Sequence, residues 1–244
     1  MIDVHNEIAK TVTKRAFKLD FEAVYKLIGN KAFLLAGGAL CGDEVHDFDL
    51  YPDEEDGKPF SLQEVAKAVA DPASGATLLF ESRNALTVKL HERGQVVQFC
   101  AYSKRSLQEL VESFDFSHIQ VGIRFRGNGC APYHEHVFYT DAFVVANVTR
   151  RTVYTGSEYP LSSLMRLFKY HKRGKLTKRE AAQASMKILK DVLERGYENY
   201  VDYKEQLDAI DLQYEGMQEA FDLYRTFCAK GICRHVQGES LNDV

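Results

Sequence analysis

The sequence predicts an α+β fold: a mixed β-sheet with flanking helices over residues 1–156, followed by a smaller all-helical domain over 157–244. Three observations carry this. Strand-like apolar runs alternate with helix-like periodicity up to about residue 115, further strand-like runs follow, and from Pro160 onward apolar residues recur at three- and four-residue steps. With 244 residues, 45% of them hydrophobic and 11% aromatic, the chain can bury one large core or two smaller ones.

The elements follow in order. Ile8, Val12, Phe17, Phe21, Val24 and Leu27 predict one helix over 3–27, closed by Asn30. "KAFLLA" and "HDFDLY" read as strands flanking a glycine loop, and "SLQEVAKAVAD" as a helix capped by Ser61. "ATLLFES", "ALTVKLHE" and "QVVQFCAY" read as strands, and "SLQELVESF" as a second helix. "SHIQVGIRFR", "EHVFYT", "AFVVANV" and "RTVYTG" then read as strands, with Gly127-Asn128-Gly129 as a hairpin turn. In the C-terminal part, "PLSSLMRLFKYHKRG" starts with proline at an early helix position and stops at Gly174. Thr177 and Glu180 form a capping-box pattern, and Leu207, Ile210, Tyr214, Met217, Phe221 and Tyr224 make a helical packing stripe.

Composition excludes several classes. A formal charge of −4 leaves no bulk electrostatic footprint for nucleic acid, although a local basic patch exists near residue 170. No segment approaches the ~18 apolar residues of a membrane span, and the N-terminus lacks the basic start and apolar core of a signal peptide, so a cytoplasmic protein is expected. The five cysteines have no paired C-x-x-C spacing and read as reduced thiols. Neither Cys228, Cys233 and His235 nor the strand pair His134 and His136 completes a zinc ligand set. No motif for a serine, cysteine or Walker-type catalytic centre occurs.

The informative stretch is "FLLAGGALCGDEVHDFDLY", residues 33–51. On a strand, alternate side chains share a face, so Asp47 and Asp49 project together, about 7 Å apart at the backbone, while Phe48 and Leu50 face the core. Two adjacent carboxylates repel unless a cation or water screens them, and hard oxygen ligands of this kind suit Mg²⁺ or Mn²⁺. Gly37 and Gly38 lack a Cβ, which lets backbone N–H groups approach phosphate oxygens closely. Taken singly, Asp-x-Asp is an ordinary solvent-facing strand and Gly-Gly an ordinary turn. Their conjunction, with nine positions from Gly38 to Asp47, points to a metal and phosphate site.

"AGGAL" followed by "DFDLY" resembles the signature of the nucleotidyltransferase superfamily, typified by DNA polymerase beta and the CCA-adding enzymes. The resemblance spans roughly residues 30–130 and extends less fully through "MRLFKYHKRG". It implies a nucleotidyltransferase-type first domain in which Gly37 and Gly38 bind the triphosphate of an NTP. Asp47 and Asp49 would hold Mg²⁺ and serve catalysis, and an acceptor hydroxyl would take the nucleoside monophosphate with release of pyrophosphate.

Two departures stand out. The family adds a third carboxylate from a later strand, where "QVVQFC" offers Gln98, which can ligate a cation but cannot accept a proton. Either the third acid comes from elsewhere, with Asp115 preferred over Glu81 and Glu92, or no general base is used. CCA-adding enzymes also carry an Arg-Asp pair after the glycines, where this chain has Cys41 and Gly42.

The segment 166–179 is rich in Arg and Lys, and Arg166, Lys169 and Arg173 share a helix face opposite Leu164, Leu167, Phe168 and His171. Such a face can hold a triphosphate or an RNA backbone, and Arg166 and Lys169 are its first members. The expected partners are therefore an NTP and an acceptor that is RNA or a tRNA end, a protein side chain or a small molecule. A catalytically lapsed nucleotide- or RNA-binding module is the alternative that Gln98 keeps open. A protein that only makes contacts through its C-terminal helices is a third.

Overall fold

The computed structural model describes residues 4–42, 45, 47–82, 84–101, 106–126, 133–158 and 160–195. Contacts divide the chain into two compact units, Met1–Thr155 and Gly156–Val244. The 207–224 stripe, the Cys228, Cys233 and His235 set and the Gly127-Asn128-Gly129 turn lie outside the described residues.

The first unit holds a seven-stranded mixed sheet: β1 (Phe33–Ala36), β2 (Phe48–Pro52), β3 (Ala76–Glu81), β4 (Ala85–Leu90), β5 (Val96–Cys100), β6 (Val121–Arg126) and β7 (Tyr133–Tyr139). The order across the sheet is β3-β4-β5-β2-β1-β6-β7. Only β2 and β5 run parallel; the other neighbours are antiparallel. With the helices packed on this sheet, the α+β class read from the sequence is observed.

The expected single N-terminal helix is two helices, α1 (Val4–Ala16) and α2 (Phe21–Ile28). The break has a local cause. Asp20 accepts a hydrogen bond from the Ala23 N–H and so starts a new helix as its N-cap. Gln95 pins the gap from the sheet side, donating to the Lys18 carbonyl at 2.6 Å and accepting from the Asp20 N–H at 2.9 Å. Gly29 and Asn30 then close α2, both at positive φ.

Two of the expected strands are absent. "AFVVANV" lies in α5 (Asp141–Thr149), because the Thr140 hydroxyl caps the Phe143 N–H and Phe143 and Ala146 bury at a three-residue step. "RTVYTG" contributes one isolated bridge, Tyr154 to Phe116. The other helices are α3 (Leu62–Val69), opened by a complete Ser61–Glu64 capping box, and α4 (Leu107–Glu112), capped by Ser106.

One sheet face, bearing Phe33, Leu35, Phe48, Leu50, Val97 and Phe99, packs with Val12, Leu27 and Val65 of α1, α2 and α3 in the main core. The opposite face, bearing Leu34 and Ala36, is covered by Leu107, Leu110 and Val111 of α4. Gly122 sets how closely α4 sits. A Cβ there would lie 2.7 Å from Leu107 Cδ1, 3.0 Å from Val111 Cγ2 and 3.1 Å from the Ala36 Cβ.

At its far end β2 runs into a buried ion pair. Arg124 Nε of β6 lies 2.8 Å from Asp53 Oδ2, and its Nη2 lies 2.7 Å from Glu55 Oε2. Asp53 is 2% exposed. Such a pair adds little net stability over an apolar substitute, but losing one partner strands a buried charge.

In the second unit, α6 (Pro160–Lys172) and α7 (Lys178–Arg195) are described. Thr177 and Glu180 make the expected reciprocal cap. The expected apolar face of α6 is shifted: Ser163, Leu164, Leu167 and Tyr170 are buried, while Phe168 is 58% exposed. No helix among the described residues is long and apolar enough to cross a membrane.

The spacing at Gly122 gives a direct prediction. Gly122→Ala must displace the Leu107 and Val111 side chains of α4, and urea denaturation is expected to show a loss of about 1–3 kcal/mol with an unchanged m-value.

Candidate active site

The two glycines and the two aspartates meet because β1 and β2 are adjacent antiparallel strands. Ala36, the last residue of β1, pairs with Asp49, so the chain leaves β1 into the glycine turn beside that carboxylate. Gly37 adopts φ +85° and ψ −139°, a conformation that L side chains rarely take. A side-chain carbon there would lie 3.7 Å from Asp49 Oδ2 and 3.8 Å from the Phe114 ring. The turn, Asp49 and Phe114 therefore converge on one spot.

Gly38–Leu40 form a single 3₁₀ turn. The Gly37 N–H donates to the Val121 carbonyl, and the Leu40 and Cys41 N–H groups return to the carbonyls of Gly37 and Gly38. The N–H groups of Gly38 and Ala39 take no part in these bonds. The Cys41 thiol donates to the Gly37 carbonyl at 2.9 Å, fixing the first residue of the turn from within. Nothing lies within 4 Å of a Cβ built on Gly38, so the turn has an open side.

Asp47 immediately precedes β2 and is exposed; Asp49, within the strand, is half-buried. In the parallel β2–β5 pairing Asp49 stands opposite Gln98, and Gln98 stands opposite Thr87 in β4. These three side chains share the face of Ala36, opposite the main core. The Gln98 amide donates to Thr87 Oγ1 at 3.3 Å, leaving its Oε1 as the acceptor of the pair. The carboxylates act on their surroundings: burial first, then the charge of Asp49, pushes the buried Cys100 thiol well above its ordinary value. Asp47 adds to this, and a hydrogen bond with Tyr51 opposes it.

Asp49, Gln98, Gly37 and Gly38 are thus brought to one region of the sheet, with Asp47 at its margin. Asp115 is 1% exposed on the segment after α4, and its carbonyl accepts the Thr155 N–H at 2.9 Å. Glu81 at the end of edge strand β3 and Glu92 in the β4–β5 turn are both exposed. Among the described residues, no group of three or more His, Cys, Asp or Glu side chains is placed to hold a metal ion. Arg166, exposed, and Lys169, half-buried, lie one helical turn apart on α6 of the second unit.

Sequence reasoning missed Phe114 and Arg15. The ring of Phe114 backs Gly37, while Arg15, in the last turn of α1, donates from Nη1 to the Leu40 carbonyl at 3.0 Å. Neither lies in a motif, and both reach the turn from elements remote in sequence.

No protein-family model matches the chain, and no curated protein matches it by sequence. Solved structures with a similar chain path include the Thermotoga maritima CCA-adding enzyme complexed with tRNA, at 12% identity and TM-score 0.47 over 92% of this chain. Others are a tRNA-processing enzyme in an apo form (15% identity, TM-score 0.47, 90% of this chain) and a CCA-adding enzyme complexed with CTP (12%, 0.47, 90%). The chain spans 54%, 61% and 53% of the length of these three. At such identities the likeness concerns the fold alone, and the functional argument rests on the residues of this chain.

The two glycines are expected to respond differently to a methyl group. Gly37→Ala places an L residue at positive φ and should lose roughly 1–3 kcal/mol in denaturant unfolding. Gly38→Ala meets open space and should stay within about 0.5 kcal/mol of the wild type.

Proposed function

We propose that the protein is a divalent-metal-dependent nucleotidyltransferase that transfers a nucleoside monophosphate from an NTP to an acceptor hydroxyl with release of pyrophosphate. The observation that carries this reading is the Ala36–Asp49 register, which sets a positive-φ glycine turn beside a half-buried carboxylate. An anion-accepting turn and a cation-accepting acid have few reasons to adjoin unless one ligand carries both phosphate and metal.

The donors present fit a hard dication. Asp47 and Asp49 would hold Mg²⁺ or Mn²⁺, with the Gln98 amide oxygen as a neutral neighbour. When bound, the metal supplies positive charge against the phosphates and against charge that develops during transfer. The N–H groups of Gly38 and Ala39 are available to phosphate oxygens. The Phe114 ring packs beside Gly37, and Leu40 anchors the turn in the main core. Gln98 cannot take a proton, so the proton of the acceptor hydroxyl leaves to a carboxylate of the pair or to water. Catalysis is then mainly positioning and charge neutralisation.

The acceptor we propose is RNA, a tRNA end being the specific case. Support comes from α6 and the start of α7, where Arg166, Lys172, Arg173, Lys178 and Arg179 are exposed cations within fourteen residues of chain. Arg166 and Lys169 are the proposed nucleotide or RNA contacts, and Asp115 the proposed further acid. A second reading, a nucleotide-binding module whose catalysis has lapsed, is favoured by Gln98 standing opposite Asp49.

Incubation with Mg²⁺, each α-labelled NTP and total RNA separates the readings. Transfer is expected for the wild type, with a loss on the order of a hundredfold or more in the Asp47→Ala, Asp49→Ala double variant or on chelation of the metal. Transfer that survives the double substitution would sink the mechanism. NTP binding without transfer to any acceptor would select the lapsed module.

A further inference from the structure

We propose that Arg15 is a positioning residue of the nucleotide site: it holds the glycine turn from behind and so sets the turn for the phosphates. The inference rests on the nucleotidyl-transfer reading and adds to it a residue outside the region of sequence resemblance.

The turn is tied at three points. Two ties come from the strand and turn elements themselves: the Gly37 N–H to the Val121 carbonyl of β6, and the Cys41 thiol to the Gly37 carbonyl. The third is the Arg15 Nη1 bond to the Leu40 carbonyl, which crosses 25 residues of chain. Arg15 is half-buried, and its neighbours on α1, Val12 and Ala16, are 1% and 0% exposed in the same core cluster as Ala39 and Leu40. The helix thus packs on the turn with its apolar face and bonds it with its last cationic side chain.

The chemistry gives this contact a direction. Carbonyl groups gather at the C-terminal end of a helical turn and N–H groups at the other. An arginine in the last turn of a helix ordinarily serves the carbonyls of its own helix. Arg15 serves a carbonyl of the glycine turn, at the end away from Gly38. A guanidinium there holds the Leu40 end of the turn and leaves the Gly38 end open. Lys14, the adjacent cation, is exposed and provides a matched comparison of charge without this contact.

The test compares the wild type with Arg15→Met, Arg15→Lys and Lys14→Met. Affinity for each Mg²⁺–NTP is measured by calorimetry, and hydrogen exchange is followed in the peptide covering residues 37–41 of the nucleotide-free protein. Arg15→Met is expected to weaken NTP binding by roughly tenfold, the scale of one charge-assisted hydrogen bond, and to speed exchange in that peptide. Arg15→Lys should recover part of both effects, and Lys14→Met should change neither. Equal weakening in Arg15→Met and Lys14→Met, or NTP affinity within twofold of wild type in Arg15→Met, would overturn the assignment. If Arg15→Met does not fold, Arg15→Lys decides: wild-type affinity and wild-type exchange together would overturn it. Failure of the wild type to bind any NTP is a different result, which removes the nucleotidyl-transfer reading itself.

Discussion

Everything at the candidate site depends on the pairing of β1 with β2. β1 is buried along its whole length and lies inside the sheet, between β2 and β6. An apolar strand with no polar face does not fix its own register, so β2 fixes it, with Phe48 and Leu50 turned into the main core and Asp49 and Tyr51 turned away. A slip of one residue would drive Asp49 in among Phe33, Val97 and Phe99. Burial of an unpaired carboxylate is costly enough to make that register untenable. The acid of the proposed site therefore also acts as the register key of the strand that carries it.

The strand is held at its other end by charge. Asp53 and Arg124 form their pair in a nearly dry environment, four residues beyond Asp49 and across β1 from β6. Between that clamp and the Ala36–Asp49 pair, β2 has little freedom to translate. The small side chains facing α4 work in the same direction. Because Ala36 and Gly122 carry almost nothing, α4 lies close to the sheet, and Phe114, two residues beyond its end, reaches Gly37. A packing decision on β6 is thereby felt at the glycine turn.

Much of this was legible in the sequence because it is written locally. The strand, the glycine pair and the alternating Asp-apolar pattern occupy nineteen consecutive residues, and Ser61–Glu64 and Thr177–Glu180 each carry their helix signal within four. The misreadings came where a helix cap or a distant partner overrode the apparent period. The β-branched run of α5 looks like a strand, but the Thr140 cap and burial of Phe143 and Ala146 make it helical. The break between α1 and α2 joins the Asp20 cap to a tie from Gln95, some seventy-five residues away. Arg15 and Phe114 carried no signal at all: a cation at the end of a helix and an aromatic after one are commonplace until the fold brings them to a glycine turn.

Gln98 bears on charge as much as on proton transfer. On the nucleotidyl-transfer reading, two carboxylates and one dication sum to zero, whereas a third carboxylate opposite Asp49 would leave the loaded site negative. A unit charge about 4 Å away is worth roughly 4 kcal/mol at an effective dielectric near 20, so a neutral amide there eases the approach of a polyanion by that order. The cost falls on the acceptor hydroxyl, which loses the side chain best placed to receive its proton. Since the Gln98 amide is oriented by Thr87, its carbonyl oxygen, not its NH₂, is the group left to face a cation. On that reading, the arrangement favours holding a metal-bound triphosphate over activating the nucleophile.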